Sequence, residues 1–179
     1  WPRLSRVRRR PNALLARGAS LATLTQAVAQ LLGGSLLVLD EATQVLSRGS
    51  ADAYTGTLAQ QYEAHGPHCI ELMRSLRESR QQGLSMVAYR QGDEACRVMP
   101  VIGGHDVLGA IALFHRGVLE EVAVRTFERS SSVIGIVLLS QERMESNKTQ
   151  VVSQLLRTLL SHRQDLGADL AASAQRLGM

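Results

Sequence analysis

His65, His68 and Cys69 fall within five residues in the segment HGPHC, and imidazole and thiolate are both transition-metal ligands. The spacing is not the pair-of-pairs of a structural zinc site, and a bound metal would need a further ligand from Cys96, His105 or His115. The simpler expectation is a pair of solvated loop histidines beside a half-buried cysteine, with no metal and no other cofactor. A nucleophilic cysteine would need a base nearby to make it a thiolate, and the two cysteines are not clustered. Ser130, Ser131 and Ser132 lie on a helical pattern with no G-x-S-x-G elbow, and no carboxylate pair marks a cleft. The chain is therefore not expected to be an enzyme. Arg74, Arg77 and Arg80 recur every three residues, near enough to one helical face to meet an anion, or to pair with Glu71 and Glu78. Gly103, Gly104 and Gly109 in RVMPVIGGHDVLGAIALF do not close a strand and open a helix, as a phosphate loop requires, so that stretch reads as strand, turn, strand.

The elements that would carry these residues follow from periodicity. Ser20 is a candidate N-cap for a helix in which Leu21, Leu24, Val28, Leu31 and Leu32 form one stripe, ended by Gly33-Gly34. SLLVLD and residues 44–47 make a first hairpin about the turn 40–43. Helical spacing is then read at Ala51, Tyr54, Leu58 and Tyr62, and again over residues 69–82. Strands are predicted at 84–89, 95–102 and 107–114. From Leu119 no proline occurs, and Phe127, Ile134, Val137, Met144, Val151 and Leu155 lie on a 3.5-residue repeat, predicting a long helix with a candidate break near Ser146-Asn147.

The bulk composition narrows the function classes. The chain has 179 residues and is 45% hydrophobic but only 3% aromatic, so its core must be aliphatic and general base stacking is not expected. The net charge is +4, yet five arginines stand among the first ten residues, leaving the body close to neutral. Two cysteines are too few for a secreted disulfide scaffold, and no apolar run reaches the ~20 residues that span a bilayer. A cytoplasmic protein with no membrane partner is expected. Because the sequence starts at Trp1, it is expected to be a piece of a longer polypeptide.

A helix, a hairpin, a helical excursion, three antiparallel strands and a closing helix resemble a GAF-type sensor domain. LLGGSLLVLDEATQVLSRG resembles that family's first hairpin and VMPVIGGHDVLGAIALF its last. The stretch from Glu128 to Gly178, with VVSQLLRTLLS and AASAQRLG, resembles the joint between the sensor and the GGDEF-like central domain in bacterial regulators of the PucR and CdaR type. The resemblance implies an α+β fold, a GAF-like antiparallel sheet flanked by helices, with a long C-terminal signalling helix. With the basic arm that the N-terminal arginines mark at 1–17, it implies a sensor domain at 18–145, a signalling helix at 146–161 and the start of the central domain at 162–179. It further implies that a small effector is bound, and the apolar surface that the helices at 20–32 and 118–160 keep beyond what one sheet can cover predicts a homodimer that signals through paired helices. DNA would be reached only through a helix-turn-helix absent from this chain. In GAF-like folds the excursion and central strands enclose the ligand, which nominates Tyr54, Tyr62, Tyr89, Arg90, Arg97 and Met99. The alternatives are a purely structural dimerisation module, or a metal or redox sensor built on His65, His68 and Cys69.

Overall fold

The computed structural model describes residues 13–161. Their order is α1 (Ala13–Leu32), β1 (Ser35–Leu39), β2 (Val45–Ser50), α2 (Cys69–Gln82), β3 (Met86–Gln91), β4 (Glu94–Gly103), β5 (Asp106–Arg116) and α3 (Glu121–Ser161). The strands form one sheet in the order β2-β1-β5-β4-β3, and every neighbouring pair is antiparallel. The fold class is the expected one, α+β with an antiparallel sheet flanked by helices.

Strand alternation sorts the apolar residues onto two faces. Leu36, Val38, Val101, Ile111 and Leu113 pack with Leu21, Val28 and Ala29 of α1 and with Phe127, Ile134 and Leu138 of α3. Leu37, Leu39, Cys96, Val98, Ala112 and Phe114 point the other way, where Leu58, Ala59, Leu72 and Tyr89 cover them. The two central strands are apolar on both sides, as strands covered on both faces must be. Gly109 lets β1 and β5 approach, because a Cβ there would run into the Leu39 carbonyl oxygen.

α1 begins at Ala13, seven residues before the expected N-cap, because ALLAR has strong helix propensity and Gly18 alone does not end the helix. The helix expected from Ala51, Tyr54, Leu58 and Tyr62 is not formed. Residues 51–68 are an irregular run of turns, in which a distant carboxylate takes the N–H groups of Thr57 and Leu58 that a helix would use. The 3.5-residue stripe of α3 first packs on the sheet, burying Phe127, Ser130 and Ile134, and the helix passes through Ser146-Asn147 unbroken. The chain divides after Leu139 into two compact units. Most of the expected basic arm and the expected start of a central domain at 162–179 lie outside the described residues. Among the described residues no helix is long and apolar enough to cross a membrane.

Candidate functional site

The irregular segment 51–68 crosses the face of the sheet opposite α1 and α3, and its own backbone cannot satisfy itself as a helix would. Two polar anchors hold it. Glu94, buried at the start of β4, accepts hydrogen bonds from the Tyr54 hydroxyl, from Thr57 N at 3.1 Å and from Leu58 N at 3.3 Å. Gly56 sits directly on this anchor, since a Cβ there would strike the Glu94 carboxylate and the Tyr54 hydroxyl. Arg116 lies over the Tyr54 ring, 6.0 Å from its centroid, and pairs with Asp93 at 2.6 Å. Burial, followed by the hydrogen bond to Glu94, pushes the Tyr54 phenol well above the usual tyrosine range, so it stays a donor.

The second anchor is Thr43, in the turn between β1 and β2. Its carbonyl accepts the Tyr62 hydroxyl at 2.7 Å, and its own hydroxyl donates to Ala64 O at 3.0 Å. Thr43 holds φ at +63°, unusual for a β-branched residue, and the turn is pinned by Asp40 Oδ1, which accepts from Ala42 N and Gln44 N at 2.9 Å each.

Between the anchors lies a cavity of about 140 Å³. Tyr62, His68, Cys69, Leu72 and Tyr89 form much of its wall. The His68 ring stacks flat on Tyr89, centroids 4.0 Å apart, and Phe114 meets Tyr89 edge-on at 6.5 Å. His68 Nδ1 stands 3.5 Å from a Glu71 oxygen without forming a hydrogen bond. Burial raises the Tyr62 and Tyr89 phenols, which remain neutral at ordinary pH, and pushes the Cys96 thiol up to about 12. Cys96 is thereby an inert core thiol. A second cleft, of about 220 Å³, lies on the other side of α2.

Of the six nominated residues, the structure brings Tyr62 and Tyr89 to the cavity and uses Tyr54 as an anchor beside it. Arg90 is exposed at the end of β3. Arg97 and Met99 lie on the other face of β4. Arg97 donates to Ser85 Oγ at 2.9 Å, Glu128 of α3 accepts from the same hydroxyl at 2.8 Å, and burial lowers the arginine pKa. Met99 packs in the α1 and α3 core. His65, His68 and Cys69 are not joined by a further ligand: among the described residues no three His, Cys, Asp or Glu side chains gather as a metal site would need. The spacing did not mark Glu94 or Thr43. Their only sequence signal is the second of two acids closing the RQGDE turn and a threonine closing the EAT turn.

No family model matches the chain, and no curated protein matches it. Among solved structures the chain is similar to MglB in a tetrameric arrangement, with a TM-score of 0.51 and 13% identity, covering 70% of this chain and 93% of that one. Myxococcus xanthus MglB aligns at 0.49 and 8%, covering 69% and 91%. The cofactor-binding GAF domain of the nutrient sensor CodY from Clostridium difficile aligns at 0.43 and 15%, covering 75% and 96%. At such identities the MglB likeness is one of fold.

Proposed function

We propose that the unit ending at Leu139 is a non-enzymatic sensor and dimerisation domain of a bacterial transcription regulator of the PucR and CdaR type. A small planar effector binds between the sheet and residues 51–68. The observation that carries this reading is the 140 Å³ cavity, walled by stacked His68 and Tyr89 and by Tyr62, and closed by a segment held at two anchors. A cavity near 150 Å³ accepts a benzene-sized molecule, and flat rings suit an aromatic wall. A binding event there reaches β4 through Glu94 and the β1–β2 turn through Thr43.

Dimerisation rests on apolar surface that the sheet does not cover. Val122, Val133 and Ile136 of α3 are 75%, 47% and 67% exposed, and Leu31 of α1 is 73% exposed. Large apolar side chains left exposed on helices suit an interface, and a two-fold pair is its simplest occupant. The MglB of similar fold is described in a tetrameric arrangement. Ile134 itself is fully buried, so the outward residues are the ones to vary. Val122→Asp with Ile136→Asp is expected to turn a dimer into a folded monomer by light scattering.

The effector reading is tested by thermal-shift screening of purines, sugar acids and small aromatic carboxylates. A hit at a hundredfold excess over its Kd adds about 2.7 kcal/mol of stability, a rise of roughly 5–10 °C at this size. Cys69→Phe, which fills the cavity from α2, is expected to abolish the shift. A second reading, a purely structural dimerisation module, is favoured by how far Tyr89, Phe114 and His68 fill this face of the sheet. Failure of every compound, with side chains filling the cavity, would make it the better account.

A further inference from the structure

The 220 Å³ cleft on the far side of α2 has a makeup that the cavity does not share. Its floor is Pro100, Gly109 and Ala110, small residues on β4 and β5 that leave room beneath the helix. Its apolar wall is Met73 and Leu76, and Met73 is 42% exposed. Above that wall stand Arg77 and Arg80 of α2, and across from them stand Asp40 and Glu41 of the β1–β2 turn.

Opposite charges lining one small cleft would be expected to close on each other as ion pairs. They do not: among the described residues, the ion pairs within 4.0 Å are His68 with Glu71, Arg116 with Asp93, and Arg125 with Glu121. Arg77 has neither a hydrogen bond nor an ion pair, and Arg80 makes one long contact, 3.5 Å, to the His105 carbonyl. The Asp40 carboxylate is fixed from behind, with Oδ1 taken by two backbone N–H groups and Oδ2 left without a partner. The cleft thus presents two cations on one wall, two anions on the other, and apolar surface between them.

We propose that this cleft binds a small zwitterion with an apolar body, of the chemical class of an aliphatic amino acid. Its carboxylate meets the guanidinium groups of Arg77 and Arg80, which can grip a carboxylate with paired N–H donors. Its ammonium meets Asp40 and Glu41, and its hydrocarbon lies on Met73, Leu76 and Pro100. A singly charged molecule leaves one wall unanswered and a neutral one leaves both, and this penalty gives the site its selectivity. The volume exceeds by about half the ~150 Å³ that holds a benzene-sized molecule. The two pockets share no lining residue, but both border the β1–β2 turn, where Asp40 and Thr43 line this cleft and Thr43 holds Tyr62 of the cavity, so the cavity-filling variant Cys69→Phe is needed to tell the two sites apart.

The test is a thermal-shift series on the full chain with leucine, valine and 6-aminohexanoate, each beside its N-acetylated and its amidated form. At least one zwitterion is expected to raise the Tm, and both of its blocked forms to lose that rise. Arg77→Gln with Arg80→Gln, on exposed positions that leave the fold intact by circular dichroism, is expected to lose it too. Cys69→Phe is expected to keep it. The proposal is overturned if no zwitterion raises the Tm, if a blocked form acts as well as its parent, or if the rise survives the arginine pair. It is equally overturned if Cys69→Phe removes the rise, which would move the ligand to the cavity.

Discussion

The two faces of the sheet solve the same burial problem with different means. On one face α1 and α3 satisfy their own backbones, so a greasy stripe is enough to seat them, and the contact is almost wholly Leu, Ile, Val and Phe. On the other, residues 51–68 have no repeating hydrogen-bond ladder, so side chains must tie them down. Glu94 accepts three donors there, and Thr43 holds Tyr62 and Ala64. All three tyrosines of the chain serve this second face. The irregular segment, held at a few points, leaves the 140 Å³ cavity beside it, and the 220 Å³ cleft of the same face lies between α2 and the small residues Gly109 and Ala110 of the sheet.

The contrast can be broken by substitution. Phe127→Ala on the helical face is expected to cost most, about 3–5 kcal/mol by chemical denaturation, because Phe127 is fully buried and its neighbours cannot collapse into the hole. Glu94→Ala on the other face is expected to cost less, about 1–3 kcal/mol, since the freed donors of a surface segment regain water. Its larger effect is local, faster protease cleavage within 51–68. If Glu94→Ala costs as much as Phe127→Ala, the two faces are not held by different means.

A smaller effect concerns pH. His115 lies on the β5 row of Ile111 and Leu113, is 3% exposed, and leaves Nε2 without a partner. Its Nδ1 faces the Arg116 carbonyl, Arg97 and Arg90 act on it, and Glu128 is the acid near that group of cations. Burial, and then the arginines, lower its pKa, so the folded state favours the neutral ring. The stability this gives is complete above the unfolded value of about 6.5 and is lost as the pH falls through the folded value. A His115→Gln variant is expected to flatten urea-midpoint curves between neutral pH and mild acid. The smallest effect is expected from Arg125→Gln, on the exposed pair with Glu121, at under about 0.5 kcal/mol.

Much of the helical face could be read from the sequence, because a stripe such as Leu21, Leu24 and Val28 declares itself within one helix. The hairpin around Gly104 was equally local. The other face was harder to read, since what shapes residues 51–68 lies far away: Tyr54 is fixed by Glu94, forty positions on, and Tyr62 by Thr43, nineteen back. The helical spacing of Ala51, Tyr54, Leu58 and Tyr62 was real, but tertiary hydrogen bonds outweighed it. Arg97 and Met99 alternate with Cys96 and Val98 in a strand covered on both sides, and nothing in such a strand says which parity faces the ligand. The row Arg74, Arg77 and Arg80 could be seen in the sequence, but not the cleft that Arg77 and Arg80 border.

Amide hydrogen exchange, measured with and without the best planar compound from the thermal-shift screen, tests most directly the claim that the irregular face is the sensing face. Protection is expected to rise at residues 51–68, at the first turn of α2 and in β3, with α1 and the sheet-packed part of α3 unchanged. Protection gained first in α1 or α3, or gained nowhere while the compound still binds, would contradict it.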